Sequence, residues 1–252
     1  TRIPPVCFVL EVVEPGLLVV KHRRADGFGK FVNVAVLRGD QIRVVDEENA
    51  GLADCPALLA SLPGIPAPAG VDAPLDVLVE LSSAMRAHGR GGLVLVVPHG
   101  SMQWQKSIVQ PLSYPVVPAY VGIAAALGRP APEGLEAALR AIEIVGGFTA
   151  VDGATVITQN YELLAFGAKV TRAVGSTPVE ELVVTEPVVG STAMRTHPAQ
   201  NGGTRHLAAA QFVYDQRNAL ALVASQDGNF TVFAWSENLN LVHAHRIDVL
   251  LL

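Results

Sequence analysis

The sequence predicts an α/β protein in which a mixed central sheet is flanked by helices and preceded by a small β-rich region. Three observations lead to this fold class. Half of the 252 residues are apolar and 16% are charged, which is enough apolar material for a sizeable core. Short strand-like patterns fill residues 1–61. From residue 75 onward, helix-like patterns alternate with apolar runs that are typical of buried strands.

The N-terminal region, residues 1–61, contains four stretches rich in β-branched residues. Turn chemistry separates them at Asp26-Gly27 and at Arg38-Gly39-Asp40. We therefore expect short antiparallel strands over residues 6–13, 16–21, 31–37 and 41–45. Residues 62–74 follow as a linker, because their prolines are incompatible with helix interiors and with sheet ladders.

Residues 75–240 have the pattern of one α/β domain. Apolar residues recur at helical spacing over residues 75–87. Residues 93–97 form a continuous apolar run, which is typical of a strand buried on both faces. Two further helices are predicted over residues 120–127 and 133–145, the second ended by Gly146-Gly147.

The second half of this domain is predicted to contain two strand pairs and one helix. A strand over residues 149–158, interrupted by Asp152-Gly153, pairs with a strand over residues 162–170. Residues 171–202 read as a long loop. The remaining predictions are a helix over residues 204–216, a hairpin of strands 219–225 and 229–235, and a C-terminal tail over residues 241–252.

The charge of the chain argues against DNA binding. The formal net charge is −5, and the densest basic cluster is Lys21-His22-Arg23-Arg24. Duplex DNA binding normally requires a basic face, so we expect none. No apolar run reaches the roughly 18 residues of a membrane span. The two cysteines, Cys7 and Cys55, lack metal-binding spacing, which favours a reducing, cytoplasmic compartment.

The segment from Asn201 to His206 has the chemistry of an anion site. Glycines before a helix let a ligand approach the backbone, and the first helical turn offers unpaired N–H groups. Thr204 adds a hydroxyl, Arg205 adds a fork that suits phosphate oxygens, and His206 can exchange a proton near neutral pH. The alternative is an ordinary glycine turn capped by Thr204.

A second candidate motif is Asp152-Gly153-Ala154. An acidic residue inside an apolar strand is costly to bury unless it is paired or binds a metal ion. The following glycine permits a bulge or the close approach of a ligand. A carboxylate at this place could hold a divalent cation beside a nucleotide. The alternative is a tight turn that carries a surface aspartate.

In this order, D-G-A followed by G-T-R-H-x-A-A resembles the diadenylate cyclase domain family, the DisA N-terminal-like domains. The layout is similar too, because a helix, a glycine and an apolar strand precede the motifs and a hairpin follows them. The resemblance covers about residues 75–240. It implies that two ATP molecules are joined into cyclic di-AMP with release of pyrophosphate. It also implies a homodimer or a higher homo-oligomer, with two domains face to face.

The resemblance implies a role for each residue of the two motifs. Asp152 would be catalytic, acting with Mg²⁺ or Mn²⁺ near the attacking hydroxyl. Gly153 and Ala154 would lie against the nucleotide. The G-T-R-H residues would bind its phosphates: Gly203, Thr204, Arg205 and His206.

The chain departs from the family pattern at several places. Leu207 replaces the usual second arginine, Ala150-Val151 replaces Leu-His, the loop between the motifs is longer, and the N-terminal region is additional. Three hypotheses follow: an active diadenylate cyclase, a non-catalytic sensor that binds ATP or cyclic di-AMP, and a scaffold that uses the fold only for dimerisation.

A weaker metal-site candidate lies near the C-terminal end. His243 and His245 alternate as they would on a strand, and Asp248 follows them. Without a third identified ligand, the sequence favours two surface histidines over a metal site.

Overall fold

A computed structural model describes residues 7–23, 31–46 and 77–252 of the chain. They form a four-stranded sheet and a nine-stranded sheet, which confirms the predicted α/β class and the β-rich N-terminal region. The predicted linker over residues 62–74, Cys55 and the turn at Asp26-Gly27 lie outside the described residues. Within the described part of the chain, no helix is long and apolar enough to cross a membrane.

The N-terminal sheet is antiparallel, as predicted. Its strands lie side by side in chain order, and the tight turns at Gly16 (φ +83°) and Gly39 (φ +61°) use a conformation that favours glycine. The strands are β1 (Phe8–Glu14), β2 (Leu17–Arg23), β3 (Phe31–Arg38) and β4 (Gln41–Val44).

One face of the N-terminal sheet packs on the C-terminal residues of the chain. The buried side chains of Val19 and Val36 contact Val249. Asn33 Nδ2 donates hydrogen bonds to the Val249 and Leu252 carbonyls, each 2.9 Å long. Arg43 forms salt bridges of 2.6 Å with Glu186 and 3.5 Å with Asp248. These contacts fix the small sheet against the large one.

Nine strands build the central sheet. They are β5 (Gly92–Val97), β6 (Tyr114–Tyr120), β7 (Ala154–Thr158), β8 (Leu163–Ala168), β9 (Leu182–Thr185), β10 (Met194–Thr196), β11 (Leu220–Ala224), β12 (Phe230–Ser236) and β13 (Leu241–Arg246). Their spatial order is β10-β9-β13-β12-β11-β5-β7-β8-β6. The β5–β7 and β9–β13 pairs are parallel and the other pairs are antiparallel, so the sheet is mixed, as predicted.

Helices cover both faces of the central sheet. They are α1 (Val77–Ala87), α2 (Gly122–Leu127), α3 (Glu133–Phe148) and α4 (Thr204–Asp215). Alternate residues of β5 separate the two layers: Leu95 packs in the layer of α4, and Val94 packs in the layer of α1 and α3. Trp104 and Trp235 are both buried in the α4 layer. Each buried Val or Leu side chain of β5 stabilises the fold by about 1.5–3 kcal/mol, which explains the continuous apolar run of this strand.

Two predicted boundaries are wrong. α3 continues through Gly146-Gly147 to Phe148, because Gly146 packs against α1. A Cβ at Gly146 would lie 2.6 Å from the Ala84 Cβ, so glycine is needed here for close helix contact. The predicted strand over residues 149–158 begins only at Ala154, and residues 149–153 form turns. Asp152 is therefore exposed and does not lie inside a strand.

Four strands were not predicted from the sequence. β9 and β10 lie within the predicted loop 171–202 and extend the sheet at one edge. β6 forms the opposite edge, where Pro115 and Pro118 are tolerated. Residues 241–252, assigned to a tail, include β13, which pairs with both β12 and β9.

Candidate functional site

A cleft of about 340 Å³ lies where α4 begins. The start of α4 forms one wall, and the end of β11 with the following turn forms the other. The cleft brings together four of the predicted site residues with a segment of β11 and its turn: Gly203, Thr204, Arg205 and His206 with residues 223–227. The segment from Ser225 to Asp227 was not predicted as part of a site, because only the sheet pairing brings it to α4.

The two glycines before α4 do different work. Gly202 has φ +153°, and a Cβ there would lie 2.6 Å from the His206 ring, so a side chain is excluded. Gly203 caps the helix with φ −78°, and a Cβ there would meet nothing within 4 Å. The first intrahelical bond runs from His206 N to the Gly203 carbonyl, at 3.0 Å. The Thr204 and Arg205 amides precede it and make this end of the helix positive.

Arg205 is half-buried, and its guanidinium lies over Gly91. A Cβ on Gly91 would lie 2.9 Å from Arg205 Nη1 and 3.0 Å from the Ala224 carbonyl oxygen, so glycine leaves room for the arginine. No carboxylate of the described residues lies within 4.0 Å of this guanidinium. Gly91, the residue directly before β5, therefore makes room for the Arg205 side chain, a role that was not predicted from the sequence.

His206 is buried, with an exposed fraction of 7%. Burial is the main cause that lowers its pKa, and Arg246 lowers it further, whereas Asp227 acts in the opposite direction. Its Nε2 lies 3.5 Å from Thr231 Oγ1, and its ring stands edge-on to Phe233. His206 is therefore neutral at pH 7 and adds no positive charge to the cleft.

Asp227 places an acidic group at the rim of the cleft. It accepts a hydrogen bond from the Ser225 hydroxyl, and this bond is the main cause that lowers its pKa. Asn229 Nδ2 donates to its other oxygen at 3.1 Å. Asp227 is therefore ionised near neutrality. A carboxylate repels a bare phosphate, so a divalent cation beside Asp227 would make phosphate binding in the cleft more favourable.

The Asp152-Gly153-Ala154 motif lies at the same end of the central strands as the cleft, but it is not part of the cleft lining. β5 and β7 run parallel with Val94 opposite Thr155, so both strands begin at this end of the sheet. β5 separates β7 from β11, which corresponds to about 10 Å between β7 and the cleft strand. The structure therefore brings Asp152 near the G-T-R-H residues without placing it among them.

Close packing explains why the second motif has small residues at Gly153 and Ala154. Gly153 has φ +106°, and a Cβ there would lie 2.5 Å from the Gly167 carbonyl carbon, so β8 leaves no room for a side chain. Ala154 is fully buried in the α4 layer of the core. It offers no surface to a nucleotide, contrary to the role that the resemblance implies. Only the exposed carboxylate of Asp152 is free to meet a ligand.

Metal ligands are few around both motifs. Across residues 7–23, 31–46 and 77–252, no group of three or more His, Cys, Asp or Glu residues could hold a metal ion. Mg²⁺ or Mn²⁺ bound at Asp152 would therefore have to draw most of its oxygen ligands from nucleotide phosphates and water.

The two C-terminal histidines are buried rather than at the surface, so the surface interpretation is wrong. His243 Nε2 and His245 Nδ1 lie 2.7 Å and 2.6 Å from the Thr185 hydroxyl. Asp248 pairs with Arg43 instead of joining them. This arrangement is a hydrogen-bonded link between β9 and β13.

Comparison with known proteins gives little beyond this geometry. No protein-family model matches the chain, and no curated protein matches it. Among solved structures, the chain is similar to the crystal structure of a double mutant of DacA from Staphylococcus aureus, a diadenylate cyclase. That similarity has 14% identity and a TM-score of 0.32, and covers 62% of this chain and 77% of that chain. Values this low carry no inference about activity.

Proposed function

We propose that this chain is a nucleotide-binding protein whose cleft at the start of α4 holds a phosphate group of ATP or cyclic di-AMP. One observation carries the proposal. Arg205 is half-buried beside the open helix end, and no carboxylate of the described residues lies within 4.0 Å of it. A partly desolvated cation next to unpaired amides is unfavourable until an anion joins it.

Phosphate suits this arrangement better than a carboxylate. The guanidinium offers a planar fork for two oxygens, and the amides of Thr204 and Arg205 can donate to a third. The exposed Thr204 hydroxyl adds another donor at the rim. His206 supports this surface from below, because its ring fills the space under Gly202. In the proposal Arg205 and the helix end bind, and His206 positions the loop.

A second candidate is the cyclase reaction. The exposed Asp152 carboxylate favours it, because Asp152 lies at the same end of the central strands as the cleft. In that reaction each ATP 3′-hydroxyl would lose its proton to solvent, and its oxygen would form a bond to the α-phosphorus of the other ATP. The bond from that phosphorus to the bridging oxygen would break, and pyrophosphate would leave. Two copies of the chain would have to face each other, with Asp152 and Mg²⁺ or Mn²⁺ near the attacking hydroxyl. Leu207 and the neutral His206 leave Arg205 as the only cation in the first turn of α4.

Calorimetric titration of the chain with ATP and with cyclic di-AMP tests the binding proposal. Arg205→Ala should weaken binding at least about tenfold, because a charge-assisted contact is lost. Arg140→Ala is the matched control, since Arg140 is exposed on α3, which covers the opposite face of the sheet. Unchanged binding by Arg205→Ala would contradict the proposed site.

A product assay separates the sensor from the cyclase. The chain is incubated with ATP and Mg²⁺ or Mn²⁺, and cyclic di-AMP is measured by chromatography. Product from the natural chain but not from Asp152→Asn would support the cyclase. Binding without product would support the sensor, and an absence of binding to either nucleotide would leave the scaffold hypothesis.

A further inference from the structure

The N-terminal sheet has a second face, which is apolar across all four strands. Residues that lie directly opposite each other in an antiparallel sheet point to the same side. The pairing therefore sets two rows of apolar side chains across the sheet, each with one residue from every strand. The rows are Val12, Leu18, Leu37 and Ile42, and Leu10, Val20, Ala35 and Val44. Phe8 extends this surface along β1, and the nine residues together are the outer face.

The other side of the same sheet packs on the rest of the molecule. Val19 and Val36 alternate with the outer residues and are buried against Val249. Glu11 lies opposite Val19 on this inner side and forms a salt bridge of 2.5 Å with Lys21. Among the described residues of β1 to β4, no Asp, Glu, Lys or Arg lies in the rows of the outer face. A solvated sheet face normally carries polar residues, so the outer face has the composition of a covered surface.

The outer face is nevertheless open to solvent at both edges of the sheet. None of its nine residues packs in a hydrophobic cluster with the other described parts of the chain. The five residues on the edge strands are 44% to 68% exposed: Phe8, Leu10, Val12, Ile42 and Val44. At the roughly 160 Å² that a residue exposes in an unfolded chain, these five together expose about 500 Å². A contiguous apolar patch of this size marks an interaction surface.

We propose that the outer face is the contact surface for a second copy of this chain, with the two sheets packed face to face. A two-fold symmetric contact needs a patch that complements itself. A face without charged side chains meets that condition, because no like charges are brought together. Apolar side chains of two facing sheets interdigitate at a sheet separation of about 10 Å.

The area sets the expected strength of this dimer. Two patches in contact would bury about 1,000 Å², the size at which specific interfaces begin, so we expect a dissociation constant in the micromolar range. None of the described residues that line the nucleotide cleft belongs to the N-terminal sheet. The contact is therefore separate from the pairing of clefts that the cyclase reaction would require, and it does not depend on the proposed function.

Sedimentation velocity of the full chain between about 1 and about 100 µM tests the dimer. The natural chain should shift from monomer to dimer across this range. Leu10→Lys and Ile42→Lys place lysine on exposed edge strands, where it is tolerated, and each should weaken the dimer at least roughly tenfold. Ile144→Lys is the matched control, because it changes an exposed isoleucine on α3 and should leave the dimer unchanged.

A charge-swap mixture identifies the surface without relying on loss alone. The double variant with lysine at positions 10 and 42 and the double variant with glutamate there should each be monomeric, and their mixture should regain dimers. Circular dichroism checks that both variants are folded. A natural chain that stays monomeric up to about 100 µM would contradict the proposal. So would a lysine double variant that dimerises as well as the natural chain, since the contact would then lie elsewhere.

Discussion

The two glycine-containing motifs differ in what surrounds their glycines. Gly203 opens onto the cleft, with nothing within 4 Å of the place of a Cβ. At Gly153 a Cβ would lie 2.5 Å from the Gly167 carbonyl carbon, and the next residue, Ala154, is fully buried. The first glycine leaves space for a ligand, and the second allows two strands to meet. Glycine beside a polar residue can thus be needed either for ligand access or for close backbone packing, and only the surrounding atoms distinguish the two.

The largest effect should come from adding a side chain at the packed glycine. Gly153→Ala places a Cβ against the Gly167 backbone in a left-handed conformation, φ +106°. We expect the free energy of unfolding to fall by about 3 kcal/mol from strain and overpacking together. Urea unfolding followed by circular dichroism measures it. A loss below about 1 kcal/mol would show that the close β7–β8 contact is not needed.

The same change at the open glycine should affect binding instead. Gly203→Ala meets no protein atom, so its cost in stability should stay at or below about 1 kcal/mol, the scale of a lost helix cap. Its methyl group would project into the space that a phosphate needs, and we expect ATP affinity to fall roughly tenfold. Calorimetry and thermal unfolding on one sample give both values. Normal affinity would mean that the ligand does not touch this backbone.

The pH dependence of stability sharpens the role of His206. Burial holds its pKa below the ordinary value of about 6.5. The unfolded chain therefore takes up this proton at a higher pH than the folded chain does, so stability falls as the pH drops below about 6.5. Unfolding midpoints at about pH 7.5 and about pH 5.5 measure the loss. His206→Gln should reduce it, whereas His197→Gln, at an exposed position, should not.

The smallest effect is expected from Asp152→Asn. Since this side chain is exposed, the free energy of unfolding should change by less than about 0.5 kcal/mol. Binding of ATP without divalent ions should stay the same, whereas any cyclic di-AMP synthesis should be lost. A clear loss of metal-free binding would place Asp152 in the binding surface and would remove the contrast between the two motifs.

Local chemistry made much of the molecule predictable. The strand β5 and the start of α4 depend only on neighbouring residues, an apolar run and a glycine pair. Both elements were therefore predicted correctly. The strand break before Ala154 depends on Gly167, and the burial of His243 and His245 depends on Thr185 of β9. Such pairings join distant parts of the chain and leave no local pattern.

The same limit explains which parts of the site were missed. The G-T-R-H residues are consecutive, so the start of α4 collects them by itself. Gly91 meets Arg205, and Ser225 and Asp227 reach the cleft, only through the pairing of β5 with β11 and of β11 with β12.

The burial of Trp104 and Trp235 in the layer between α4 and the sheet has an optical consequence. They are the two tryptophans of the chain, so its tryptophan fluorescence reports on this layer and not on the N-terminal sheet. Far-ultraviolet circular dichroism, by contrast, reports on both sheets. If the two signals lose amplitude at the same denaturant concentration, the docked sheets unfold as one cooperative unit. If the two transitions separate, their order shows whether the small sheet detaches before or after the α4 layer unfolds.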